Sequence, residues 1–148
     1  MRRIGLIGGM SWESTAIYYR LMNEAGRRRL GGLHSAEVVR HSVDCAAISD
    51  LQHKGDWDRA AGILAEAAGG LKQAGAEFLV LATNTMHCIA DRISGSSGLH
   101  LLHIADPTGE ALRRNGAGRV ALLGTRLTME AEFFRSRLQQ RHGVQVVI

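Results

Sequence analysis

The 148-residue chain has only two cysteines, Cys45 and Cys88, and a single proline, Pro107. Two cysteines do not make a disulfide framework, and no C-x-x-C pair occurs to suggest a redox or zinc site. Aromatic residues make up 5% of the chain and do not alternate with basic ones, which argues against a stacking surface for nucleic acid. No apolar run approaches the roughly eighteen residues needed to span a membrane. The start, MRRIGLIGGMSWES, carries two arginines, but its apolar run is too short for a signal peptide. These absences lead us to expect a cytoplasmic protein with neither a nucleic-acid nor a membrane partner. Two phosphate signatures are also missing. The first loop, Gly5-Leu6-Ile7-Gly8-Gly9, does not fit G-x-G-x-x-G, and no G-x-x-x-x-G-K-[ST] occurs. His41, Asp44, Cys45 and His53 share a region but no metal-ligand pattern, so no metal is expected.

Apolar residues make up 45% of the chain, enough for a folded domain with a sizeable core. The net charge of +4 comes from scattered basic residues, apart from Arg27-Arg28-Arg29, which close a helical pattern where cations complement the helix dipole. Short apolar runs alternate with helical patterns. Residues 4–7 read as a buried strand stopped by Gly8-Gly9. Ser11 can cap a helix to about Arg29, which Gly31-Gly32 ends. Residues 36–43, 78–82, 101–104 and 120–123 are further strand candidates, and residues 144–148 form a last apolar run. Asp56 can cap a helix with Trp57, Ala60, Ala61, Leu64, Ala68 and Leu71 on one face. Residues 85–93 and 127–141 read as helices, and Pro107 can open another in its first turn. This alternation predicts an α/β fold, a mostly parallel sheet with helices on both faces. Ligands of such sheets bind beyond the carboxyl ends of the strands.

Two of the loops at those ends are informative. Gly8-Gly9 suits either a close approach to a carboxylate or phosphate or simply a tight strand-to-helix turn. Thr83-Asn84-Thr85 interrupts the stretch LVLATNTMHC with two hydroxyls and an amide ahead of a helix. That arrangement can clamp a carboxylate, or it can do no more than cap the helix. His87 and Cys88, in the helix itself, read as structural.

Two segments read either as an internal repeat, with spacing that differs by one residue, or as the likeness that strand-loop-helix grammar alone produces. RIGLIGGMSW at residues 3–12 aligns with RVALLGTRLT at residues 119–128, and Tyr18-Tyr19-Arg20 with Phe133-Phe134-Arg135. The expectation is one complete lobe, residues 1–105, followed by the incomplete start of a second, residues 106–148. On this reading the chain is truncated at its C-terminal end.

The segments IGLIGGMSWEST, GGLHSAEV, HSVD, GDWD, GAEFLVLATNTMH, LHIAD and RVALLGTRLTME resemble the aspartate/glutamate racemase family, most closely its L-aspartate/glutamate-specific branch. The resemblance implies two pseudo-symmetric α/β lobes with the active site in the cleft between them. It implies an isomerase that inverts acidic amino acids with two facing bases and without pyridoxal phosphate or metal. Homodimers are common in that family. Met10, Gln52, Thr83, Asn84 and Thr85 match positions that contact substrate. Asn84 and Thr85 would hold the α-carboxylate, Thr83 would face the α-carbon as the catalytic group, and Met10 and Gln52 would border the site. Most of the family carries cysteine at the place of Thr83. The second base is a cysteine in a Gly-Cys-Thr-Glu motif, expected about fifty residues beyond Ile148 by the offset of the repeat. Neither Cys45 nor Cys88 lies in such a motif. An inactive remnant that at most binds acidic amino acids is the alternative reading. A nucleotide-binding module is disfavoured by the failed glycine fingerprint.

Overall fold

A computed structural model describes residues 1–148. The chain packs as two units: Met1–Thr83 with Ile89–Leu101, and Asn84–Cys88 with Leu102–Ile148.

The first unit is built on strands β1 (Ile4–Gly8), β2 (Val38–Ser42), β3 (Phe78–Leu81) and β4 (Leu101–Leu102), in the order β2-β1-β3-β4. The β1 strand pairs in parallel with both neighbours, Ile7 standing opposite His41 and Leu81. Side chains alternate across a strand, so a fully buried strand must be apolar at both parities. Leu6, Val80 and Ala82 form one cluster with Tyr18 and Met22 of α1 (Trp12–Leu30). Ile7, Leu79 and Leu81 have the opposite parity and are equally buried. Helix α3 (Trp57–Gln73) packs against β1 and β2 and buries Ala60, Ala61, Leu64, Ala67, Ala68 and Leu71, the expected helical stripe. The α/β class, with a parallel sheet flanked by helices, is the one anticipated from the apolar runs.

Helix ends follow local chemistry. Ser11 accepts a hydrogen bond from Ser14 N, and Asp56 from Arg59 N, so both caps fall at the expected residues. Gly31 closes α1 at φ 77°, with its N–H donating to the Arg27 carbonyl. One helix, α2 (Cys45–Lys54), has no counterpart in the sequence reading. It is capped by Asp44, stopped by left-handed Gly55, and buries only Ile48 and Leu51, too few for an apolar stripe to show. Residues 85–93 are not one α-helix. A 3-10 helix, Thr85–Ile89, comes first, then α4 (Ala90–Ser97), which packs on α3.

The second unit holds α5 (Ala105–Arg114), β5 (Arg119–Ala121), α6 (Arg126–Glu130), α7 (Glu132–His142) and β6 (Gln145–Val147). The two strands pair in parallel as a separate sheet. Ala105, Phe134, Leu138 and Val144 form the core, with Val120, Leu122 and Val146 against it. The single helix expected over residues 127–141 is broken at Ala131, which is extended (ψ 142°). Buried residues stand on both sides of the break: Thr128 against Gly124 and Thr125, and Phe134 in the core. A glycine close to a threonine of the following helix occurs at the end of β1 and after β5, though at different spacings. Gly8 abuts Thr15 of α1, and Gly124 abuts Thr128 of α6.

Candidate functional site

The first loop is shaped by one buried hydroxyl. Thr15, 2% exposed, accepts a hydrogen bond from Gly9 N at 3.0 Å and donates to the Ser11 carbonyl at 3.0 Å. A Cβ at Gly8 would fall 2.4 Å from Thr15 Cγ2. Gly9 has φ 94°, and a Cβ there would lie 2.0 Å from the Val43 carbonyl oxygen. Val43 N in turn donates to the Gly8 carbonyl at 2.9 Å. The Gly-Gly pair therefore serves a tight turn wedged between α1 and the end of β2. Its Gly9 N–H is used internally, which removes one donor an anion would need.

Met10 follows directly and is half-buried. Cys45 donates its Sγ hydrogen to the Met10 carbonyl at 3.0 Å, tethering this loop to the start of α2. Gln52 lies about two turns further along the same helix. Thr83 is the second residue beyond β3, and Ala82 N continues the ladder to the Ile7 carbonyl at 2.9 Å. Since Ile7 and Leu81 are in register, Thr83 and the Gly9-Met10 loop leave the sheet at the same carboxyl end. Thr83 is half-buried.

Asn84 and Thr85 pack with the second unit. Asn84 is exposed and Thr85 half-buried, and the Asn84 carbonyl accepts from His87 N at 3.1 Å to start the 3-10 helix. In the same helix Met86 and His87 are buried, 1% and 3% exposed. Burial pushes the Cys88 thiol above its usual range, only partly offset by a backbone hydrogen bond, so it stays protonated and makes a poor base.

Three groups in the second unit escaped sequence reasoning. Asp106, in the first turn of α5, accepts two bonds of 2.7 Å from Arg137, through Nε and Nη2. That pairing holds its carboxyl down at about 2, helped by His142 and Arg141. His103, 5% exposed, is lowered to about 4, chiefly by burial and then by His87, Arg137 and Arg141, against the opposing effect of Asp106. Its ring meets the edge of His87 with centroids 4.6 Å apart. The segment LHIAD was the available signal, but nothing in it announced Arg137, thirty-one residues beyond Asp106. No group of three His, Cys, Asp or Glu side chains is arranged to hold a metal ion. A groove of about 430 Å³ on α1, lined by Tyr19, Arg20, Asn23, Arg27 and His34 among others, includes none of the five expected site residues.

Known proteins share this fold. A candidate Asp/Glu racemase from Yersinia pestis is 53% identical and superposes with a TM-score of 0.94 over 99% of this chain. An aspartate racemase homologue from Pyrococcus horikoshii OT3 is 33% identical, with a TM-score of 0.87 over 99% of the chain. An aspartate racemase from Picrophilus torridus, at 18% identity and a TM-score of 0.80 over the whole chain, shows the same fold. The chain spans 64%, 64% and 62% of the length of these three proteins. The Asp/Glu/hydantoin racemase family model matches residues 7–148. This chain therefore belongs to the Asp/Glu/hydantoin racemase family.

Proposed function

We propose that the chain carries the first half of the active site of an aspartate/glutamate racemase that works without pyridoxal phosphate or metal. The observation that supports this best is the position of Thr83. It stands at the carboxyl end of β3, level with the Gly9-Met10 loop and directly ahead of Asn84 and Thr85. Racemisation breaks the Cα–H bond and leaves its electron pair delocalised into the α-carboxylate. A proton then returns to the opposite face, with no net oxidation. Asn84 and Thr85, with their backbone N–H groups, donate to the carboxylate where this charge develops. Thr83 faces the α-carbon, and Met10 and Gln52 border the substrate. The protein is a cytoplasmic homodimer of two lobes, divided near residue 105. No helix is long and apolar enough to cross a membrane.

The two bases are chemically unequal. A thiol, with a pKa near 8.5, is readily tuned into a base at working pH, whereas a hydroxyl is not. Thr83 therefore relays or delivers a proton, and a cysteine in a Gly-Cys-Thr-Glu motif, which residues 1–148 do not contain, takes the role of opposing base. Cys45 is committed to the Met10 carbonyl and Cys88 is held protonated. This inequality favours one direction of inversion or one enantiomer. The test is exchange of the α-proton of L-aspartate and L-glutamate for deuterium, by a protein completed to the length of its relatives. Thr83→Ala is expected to abolish inversion of the α-carbon, read by chiral separation of the same samples, while unchanged racemisation would sink the assignment.

A further inference from the structure

The N-terminus of α5 is capped in an unusual way. Its cap residue, Ile104, has no side chain able to accept a hydrogen bond. Two buried imidazoles and a carbonyl accept instead. Ile104 N donates to His87 Nε2 at 3.2 Å, Ala105 N to His103 Nδ1 at 3.2 Å, and Asp106 N to the His103 carbonyl at 2.9 Å. Each imidazole must be neutral to accept at these nitrogens, and a buried helix N-terminus disfavours a cation. The low pKa of His103 agrees with this. An apolar residue at position 87 would leave the Ile104 N–H without its acceptor.

His87 also belongs to the segment that begins with Asn84 and Thr85, and its own N–H closes the turn on the Asn84 carbonyl at 3.1 Å. We propose that His87 is a positioning residue: by bonding the start of α5 through Nε2, it fixes the 3-10 helix Thr85–Ile89 so that Asn84 and Thr85 present their donors to the substrate carboxylate. This rests on the carboxylate-holding reading of Asn84 and Thr85 given above. His103 supports the arrangement edge-on from the partner cap.

Two substitutions separate this role from simple packing. His87→Phe fills the site and removes the acceptor, whereas His87→Gln places an amide oxygen near the former Nε2. Calorimetric titration with L-aspartate of the protein completed to the length of its relatives, alongside amide hydrogen exchange of residues 84–89, reads both. His87→Phe is expected to weaken binding on the order of tenfold, the value of about one buried hydrogen bond, and to speed exchange locally. His87→Gln is expected to recover most of the affinity and the protection. Wild-type affinity in His87→Phe overturns the proposal, as does His87→Gln behaving like His87→Phe. If the unaltered protein at that length binds neither aspartate nor glutamate, the carboxylate reading fails, and this inference fails with it. Exchange at residues 84–89 would still report the structural link.

Discussion

Replacing Asp106 with asparagine isolates the electrostatic core of the second unit. The carboxylate receives two 2.7 Å bonds from Arg137 and lies 3.4 Å from His142 Nε2. Asp106 and Arg137 side chains are each 19% exposed, so solvent screens the pair only partly. Lowering the carboxyl from 3.8 to about 2 corresponds to about 2 kcal/mol favouring its charged form. Removing one partner of a buried pair commonly costs about 3–5 kcal/mol, and partial exposure brings the expectation for Asp106→Asn back to about 2–3 kcal/mol. The pH dependence carries a sign. The folded pKa is depressed, so the stabilisation is fully present above about pH 4 and is lost as pH falls through about 2. The gap between Asp106→Asn and the unaltered protein should therefore be widest near neutrality and close towards pH 2. Both tryptophans, Trp12 and Trp57, lie in the first unit, so a probe within the second unit reads the effect directly. Urea unfolding followed by the methyl resonances of Leu138 and Val144 reports on the correct core. Coincident midpoints at pH 7, or a gap that persists unchanged to pH 2, would refute the reasoning.

Other perturbations test separate parts of the structure. Gly9→Ala forces a side chain at φ 94° to within 2.0 Å of the Val43 carbonyl oxygen, so it should cost about 3 kcal/mol or prevent folding, as seen in a thermal melt. Leu64→Ala removes a fully buried side chain of α3 and should cost about 3 kcal/mol in urea unfolding followed by tryptophan fluorescence. His103 is held at about 4 against an ordinary 6.5, so the unfolded chain binds the extra proton between those values. Stability of the second unit should climb by about 3 kcal/mol from pH 4 to 6.5, and His103→Gln should flatten that rise in unfolding curves collected across the interval.

Much of the first unit was legible in the sequence because its signals are local. Apolar runs ending at Gly8 and Ala82 mark strands, and Ser11 and Asp56 cap the helices that follow. The features that were missed are decided by tertiary packing. The α2 helix buries two side chains, which leaves no periodic stripe. The 3-10 geometry of Thr85–Ile89 and the break at extended Ala131 interrupt segments whose apolar spacing reads as continuous helix. At the site, the glycine pair stood out, but the Thr15 hydroxyl that requires it lies a helical turn away, with nothing in its immediate neighbours to mark it. His87 reads as an ordinary helical histidine until Ile104 is seen donating to it. Sequence spacing carries hydrogen bonds within a turn, and these contacts join separate segments.

The claim that an acidic amino acid sits on the segment of residues 83–85 is tested most directly by amide NMR during titration with L-aspartate. The account predicts that Met10, Gln52, Thr83, Asn84 and Thr85 shift together along one saturation curve, and that Thr83→Ala alters the bound spectrum. Shifts confined to the α1 groove around Tyr19, Arg27 and His34, or no saturable response at all, would contradict it.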